Sequence, residues 1–167
     1  MPSTASDPLR PLLGKRIFIT SHTNFQHVSD AGVLLAYDST WLHVRRVAEH
    51  LYYGRQKVVK VAAGPKGAAR ASATIPPRTK DSVSVHRLID ELVGIKIEIW
   101  TTGGQNDFHD QGVLEAADGD WLRLTKTDGS LLYFPIHQIR LLKPLGDPRI
   151  PVESGALPIP SDEPPRR

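Results

Sequence analysis

The stretches LVGIKIEIW (residues 92–100) and GVLEAADGDWLRL (residues 112–124) decide how this chain is read, because both are written twice. Moved back by 80 positions, Leu92, Gly94, Ile97, Ile99, Asp110, Gly112, Val113, Leu114, Ala116, Asp118, Trp121 and Leu122 fall on identical residues. Those are Leu12, Gly14, Ile17, Ile19, Asp30, Gly32, Val33, Leu34, Ala36, Asp38, Trp41 and Leu42. Average residue usage would give only about two such matches over this length, so the chain carries an internal duplication. The same spacing pairs Leu51 with Leu131, Tyr53 with Tyr133 and Lys60 with Arg140.

The second copy shows what each copy builds. Ile95, Ile97 and Ile99 alternate with Lys96 and Glu98, the pattern of a half-buried strand. Residues 112–118 and 121–124 repeat the alternation. Asp128-Gly129 is a two-residue hairpin signal leading into 131–134, which Pro135 closes. Ile136 and residues 139–142 supply the last strand. Ahead of these, Val85, Leu88, Ile89 and Leu92 share one helical face ending at Gly94, with a serine placed to cap it. One short helix and five strands in each copy make a mainly β chain of two tandem five-stranded SH3-type barrels. In the first copy 45–50 reads as a longer polar connection, and 51–53 and 58–61 as weaker strands.

The expected organisation is a lead-in at 1–11, barrel A at 12–62, a basic linker at 63–81, helix and barrel B at 82–145, and a tail at 146–167. Residues 62–80 hold six alanines, three prolines and four basic residues, which suits a flexible tether. Seven prolines in the last 24 residues argue for an extended tail. With no cysteine there are no disulfides and no thiolate metal sites. The N-terminus lacks the apolar segment of a signal peptide, and no run reaches the ~20 apolar residues that span a bilayer, so the expected home is the cytoplasm, with no membrane partner.

The order helix, Leu-x-Gly-x-x-Ile-x-Ile, Gly-Val-Leu-x-x-x-Asp, strand, turn and closing strand resembles the Sm and Sm-like proteins, including the bacterial host-factor RNA chaperone. Residues 112–118 and 132–139 also resemble small Sm-like proteins of spore-forming bacteria. The resemblance covers about two thirds of the chain, in both copies. It implies bent five-stranded barrels that join edge to edge into rings of six or seven, so that three two-unit chains would complete a ring of six. It also implies RNA binding, but the family's base-contacting positions fall here on Thr40, Leu42, Asp120 and Leu122, and its later basic motif falls near Phe134 and Pro135.

Charge points to a partner by another route. The net charge is only +3, yet residues 43–80 hold nine Lys or Arg against one acid, Glu49. Such a block attracts polyanions, and equally keeps a linker soluble. The nucleic-acid candidates are Arg45, Arg46, Arg55, Lys57 and Lys60 in the first copy, with Lys126 and Arg140 in the second. Trp41, Trp121, Tyr53 and Tyr133 are candidate stacking platforms; for the two tryptophans, cover by a helix or neighbouring subunit weighs more. The polar segments 20–31 and 100–111 read as long loops. Their His22, His27, Asp107, His109 and Asp110 follow no metal-ligand framework, so neither metal nor cofactor is expected. No nucleophile elbow, phosphate loop or carboxylate pair suggests an enzyme. Two readings follow: a non-enzymatic, oligomer-forming Sm-like protein that binds single-stranded RNA through basic surface, or a scaffold, of the kind found in spore coats, that holds a protein partner through its loops or Pro-rich tail.

Overall fold

In the computed structural model, which describes residues 8–63, 87–103 and 106–150, the chain is mainly β. Each repeat supplies five strands: β1 (Arg16–His22), β2 (His27–Tyr37), β3 (Trp41–Arg46), β4 (Glu49–Gly54) and β5 (Val58–Ala63), then β6 (Lys96–Gly103), β7 (Asn106–Asp118), β8 (Trp121–Thr125), β9 (Leu131–Pro135) and β10 (Ile139–Pro144). They form one ten-stranded antiparallel sheet, ordered β5-β1-β2-β3-β4-β10-β6-β7-β8-β9, which does not close. Both halves therefore have the same internal order, and β4 pairing with β10 joins them.

The duplication is visible in the backbone. Gly14 and Gly94 both have φ in the left-handed region (74° and 82°), and they donate to Leu34 O and Leu114 O at the same 2.7 Å. The second strand of each half slips register at the same place, between Leu34 and Ala36 and between Leu114 and Ala116. Such a bulge bends its strand.

The constant spacing ends after the third strand. Trp41 stands opposite Gly54, whereas Trp121 stands opposite Pro135. The offset is thus 81 beyond that point, because the hairpin from Trp121 to Pro135 is one residue longer than that from Trp41 to Gly54. Tyr133 therefore corresponds to Tyr52, Phe134 to Tyr53, and Leu141 to Lys60. The pairings of 51 with 131, 53 with 133 and 60 with 140 are corrected by one residue.

Other expectations change too. Where helices were expected, the described residues hold 3-10 turns, Arg10–Leu12 and Leu88–Leu92. Residues 82–86 lie outside the described part, as do most of the lead-in, the linker and the tail. Residues 20–31 and 100–111 are the far ends of two hairpins rather than long loops: β1 and β2 stay paired out to His22 and His27, β6 and β7 out to Gly103 and Asn106. The polar side chains of the arms divide between exposed positions, His22, His27, Asp107 and His109, and buried ones, Ser21, Thr23, Thr101 and Thr102. The polar 45–50 segment is a tight turn, with Val47 at φ 55° and Arg46 opposite Glu49. The Asp128-Gly129 connection is wider than two residues. Lys126 N donates to Ser130 O, and the Asp128 carboxylate accepts from the Ser130 amide and hydroxyl.

Two buried clusters lie along the sheet, and each borrows across the junction. Ile97, Ile99, Leu114 and Leu122 pack together with Ala36, Trp41 and Tyr52 of the first repeat. Ile17, Ile19, Leu34 and Leu42 pack with Leu141 of the second.

Candidate functional site

The basic candidates divide among several places. Arg45 and Arg46 end β3, roughly 17 Å along the strand from Trp41 at its start. Arg46 is engaged by Asp30 at 3.2 Å and Glu49 at 2.9 Å, and the Glu49 contact holds its guanidinium charge still more firmly. Arg45 turns back onto Val47 O at 3.2 Å. Lys126 lies at the β8–β9 hairpin, and Lys60 is exposed on β5.

Arg55, Lys57 and Arg140 are set by the closing segments of the two repeats. Each repeat makes a 3-10 turn between its fourth and fifth strands, Arg55–Lys57 and Ile136–Gln138. Matching amide bonds tie them down, from Arg55 N to Thr40 O and from Ile136 N to Asp120 O. The β4–β10 pairing brings the two turns together, with Lys57 Nζ 3.5 Å from Gln138 Oε1. Arg55 donates to Asp38 O at 2.7 Å and lies over the Tyr37 ring. Arg140, the second residue of β10, reaches Ser21 Oγ at 3.2 Å. The result is a ridge where the two turns meet, with the half-buried Lys57 beside the Gln138 amide.

The aromatic candidates separate by repeat. Trp41 is 1% exposed and Trp121 52%. Tyr53 is buried, and its hydroxyl donates to Asp30 Oδ2 at 2.8 Å. Burial and the Asp30 charge push its ionisation far above the usual phenol range. Neither Trp41 nor Tyr53 can stack a base. Tyr133 is exposed, and with Trp121 it borders an open groove of about 470 Å³ together with Ala116, Asp118, Leu122 and Arg123.

In the first repeat the corresponding residues are Ala36, Asp38, Trp41, Leu42, His43 and Tyr52, and there the space is filled. The Leu88–Leu92 turn lies on it. Leu88 N donates to Asp38 Oδ2 at 2.9 Å, the Tyr52 hydroxyl donates to Glu91 Oε2 at 2.8 Å, and His43 stacks on Tyr52 at 4.3 Å. His43 also shares a 2.9 Å hydrogen bond with His50. Reading the sequence missed Asp38, Glu91 and Arg123. The available signal was Glu91 itself, an acid beside an apolar helical face.

Among the described residues no group of three or more His, Asp or Glu side chains could hold a metal ion. Trp100 stacks on His109 at 4.5 Å, with Glu98 3.8 Å from the imidazole. No described helix is long and apolar enough to cross a membrane. Compared with known proteins, the chain matches no family model and no curated protein.

Proposed function

We propose that this chain is a non-enzymatic Sm-like protein, each half a strongly bent five-stranded barrel, that associates through its edge strands and binds single-stranded RNA mainly through basic side chains. The repeated strand order and the shared bulge support the barrel reading. The observation that carries the RNA reading is the ridge where the turns Arg55–Lys57 and Ile136–Gln138 meet. It sets the half-buried Lys57 beside the Gln138 amide, with Arg55 and Arg140 on the flanking segments, a combination that suits phosphate contacts rather than base readout.

Binding of this kind releases counterions, so affinity falls steeply with salt. Fluorescence anisotropy with single-stranded RNA should show binding at low salt. Lys57→Glu and Arg140→Glu should each weaken it, and a lost phosphate contact lowers the slope of log affinity against log salt by about 0.7. Absence of binding by the unmodified chain at low salt ends this reading.

The scaffold reading is favoured by the open Trp121–Tyr133 groove and by the engagement of Arg46 with Asp30 and Glu49. Recovery of a protein partner without nucleic acid, after nuclease treatment of a native lysate, would select it.

A further inference from the structure

One face of the third and fourth strands is covered in the first repeat and bare in the second. In the first, the Leu88–Leu92 turn packs on Trp41 and Tyr52, and the Tyr52 hydroxyl donates to Glu91. In the second, Trp121 and Tyr133 (58% exposed) leave the corresponding face open. They border the groove of about 470 Å³ on the side of β8 turned away from buried Leu122 and Leu124. Charge is ordered along this groove. Asp118 stands opposite Trp121, and Arg123 lies two residues further along β8, opposite Ala116 and Tyr133. An exposed acid and an exposed cation are thus offset by about 7 Å along the strand direction.

The chain carries a segment that matches this groove. Residues 151–167 hold five prolines and include the run Asp162-Glu163-Pro164-Pro165-Arg166-Arg167. Proline at this density favours the polyproline II helix, which docks on aromatic-lined grooves at a low ordering cost. In that helix Glu163 and Arg166 stand about 9 Å apart, an acid and a cation separated by two proline rings. The spacing is close to that of Arg123 and Asp118, and the signs are opposite. The described chain also stops near the groove. Arg149 N donates to Glu91 O at 2.9 Å, and its guanidinium lies against Gly94. Gly94 N in turn donates to Leu114 O, two residues along β7 from Ala116 on the groove wall. From Ile150 to Pro164 is 14 residues, about 43 Å of polyproline II, so reach does not limit docking.

We infer that the Trp121–Tyr133 groove holds the chain's own Pro-rich tail. Pro164 and Pro165 lie on the two rings, Arg166 and Arg167 face Asp118, and Asp162 and Glu163 face Arg123. Exposed ion pairs contribute little each, so proline-on-aromatic packing supplies most of the affinity and the charges set the direction. Tethering holds the tail at an effective concentration in the millimolar range, at which a weak contact is filled without a second molecule. The groove is therefore self-covered, and any outside partner of Trp121 has to displace the tail. The contact uses none of the basic side chains at the Lys57–Gln138 ridge, so it stands apart from the RNA reading.

The chain has no cysteine and three tryptophans, which allows a direct test. Full-length Ser161→Cys protein, freed of nucleic acid, takes a single nitroxide label in the tail. The indole N–H signals are followed by nuclear magnetic resonance, with Trp121 assigned through Trp121→Phe. Trp100, on β6, is the internal reference. In the first sample the isotope and the label are on the same chain, diluted with excess unlabelled chain. In the second they are on separate chains. The expected result is broadening of Trp121 several-fold greater than that of Trp100 in the first sample, and none in the second. Arg166→Glu with Arg167→Glu should remove most of it, and Asp118→Lys added to that pair should restore it. Equal broadening of Trp121 and Trp100 overturns the inference, and so does indifference to the arginine changes. Broadening as strong in the second sample as in the first also overturns it, since the occupant would then be the tail of another copy.

Discussion

At Gly32 and Gly112 the second strand of each repeat passes so close to the third that a side chain has no room. A Cβ on Gly112 would lie 2.6 Å from Thr125 O and 2.9 Å from Leu124 Cγ, and one on Gly32 would lie 2.5 Å from Val44 Cγ1. Gly112→Ala should cost about 1–3 kcal/mol, the usual range for overpacking, read from urea unfolding. The glycines were legible as identities at the repeat spacing; the reason for them is the close crossing. Tyr52 is a second single-residue test. Its hydroxyl serves a fully buried carboxylate, Glu91, and hydrogen bonds to charged groups contribute about 1.5–3 kcal/mol. Tyr52→Phe should lower stability by that order with the strands intact by circular dichroism. Arg46 shows the limit of counting charges, since its proximity to Asp30 and Glu49 arises from strand pairing across 16 residues and a tight turn.

At the scale of elements, β3 and β8 carry the same Trp-Leu start but opposite fates. The pattern in β8 alternates exposed and buried, whereas the first four residues of β3 are all buried. Alternation in sequence encodes the face turned to a strand's own core, and says nothing of the other face. That face of β3 is covered by the Leu88–Leu92 turn, from far along the chain. The junction between β4 and β10 also carries a pH-sensitive contact. Glu49 accepts from Lys143 at 2.7 Å and from Arg46 at 2.9 Å, and these hydrogen bonds, Lys143 first, hold its carboxyl below the ordinary value. A depressed carboxylate stabilises the fold above its unfolded pKa of about 4.3 and loses that contribution as pH falls through the lower folded value. Thermal melts should therefore show Glu49→Gln less stable than the unmodified chain at pH 7, by under about 1 kcal/mol for an exposed pair, with the difference vanishing in strong acid. A difference that persists at pH 2 would mean the loss is not electrostatic.

For the whole molecule, the interleaved clusters predict cooperation between repeats. Trp41 and Tyr52 belong to the second repeat's core, and Leu141 to the first's. Denaturant unfolding should accordingly be one transition, with tryptophan emission and far-ultraviolet circular dichroism coinciding; two separated transitions would show independent halves. Ile89→Ala, which removes a buried side chain at the junction, should lower both signals together by about 2–5 kcal/mol. The sequence by itself determined the duplication, the mainly β character and the five strands of the second copy, because hydrophobic period and repeat spacing are local or strictly periodic signals; that the first copy keeps all five was settled by the structure. Only the tertiary structure decided that the spacing slips to 81 at a longer hairpin, that polar segments 20–31 and 100–111 are paired strands, and that one of two equivalent tryptophans is covered. Those outcomes depend on which distant surface lies against each residue, and burial is a property of both surfaces, of which a strand's own sequence specifies one.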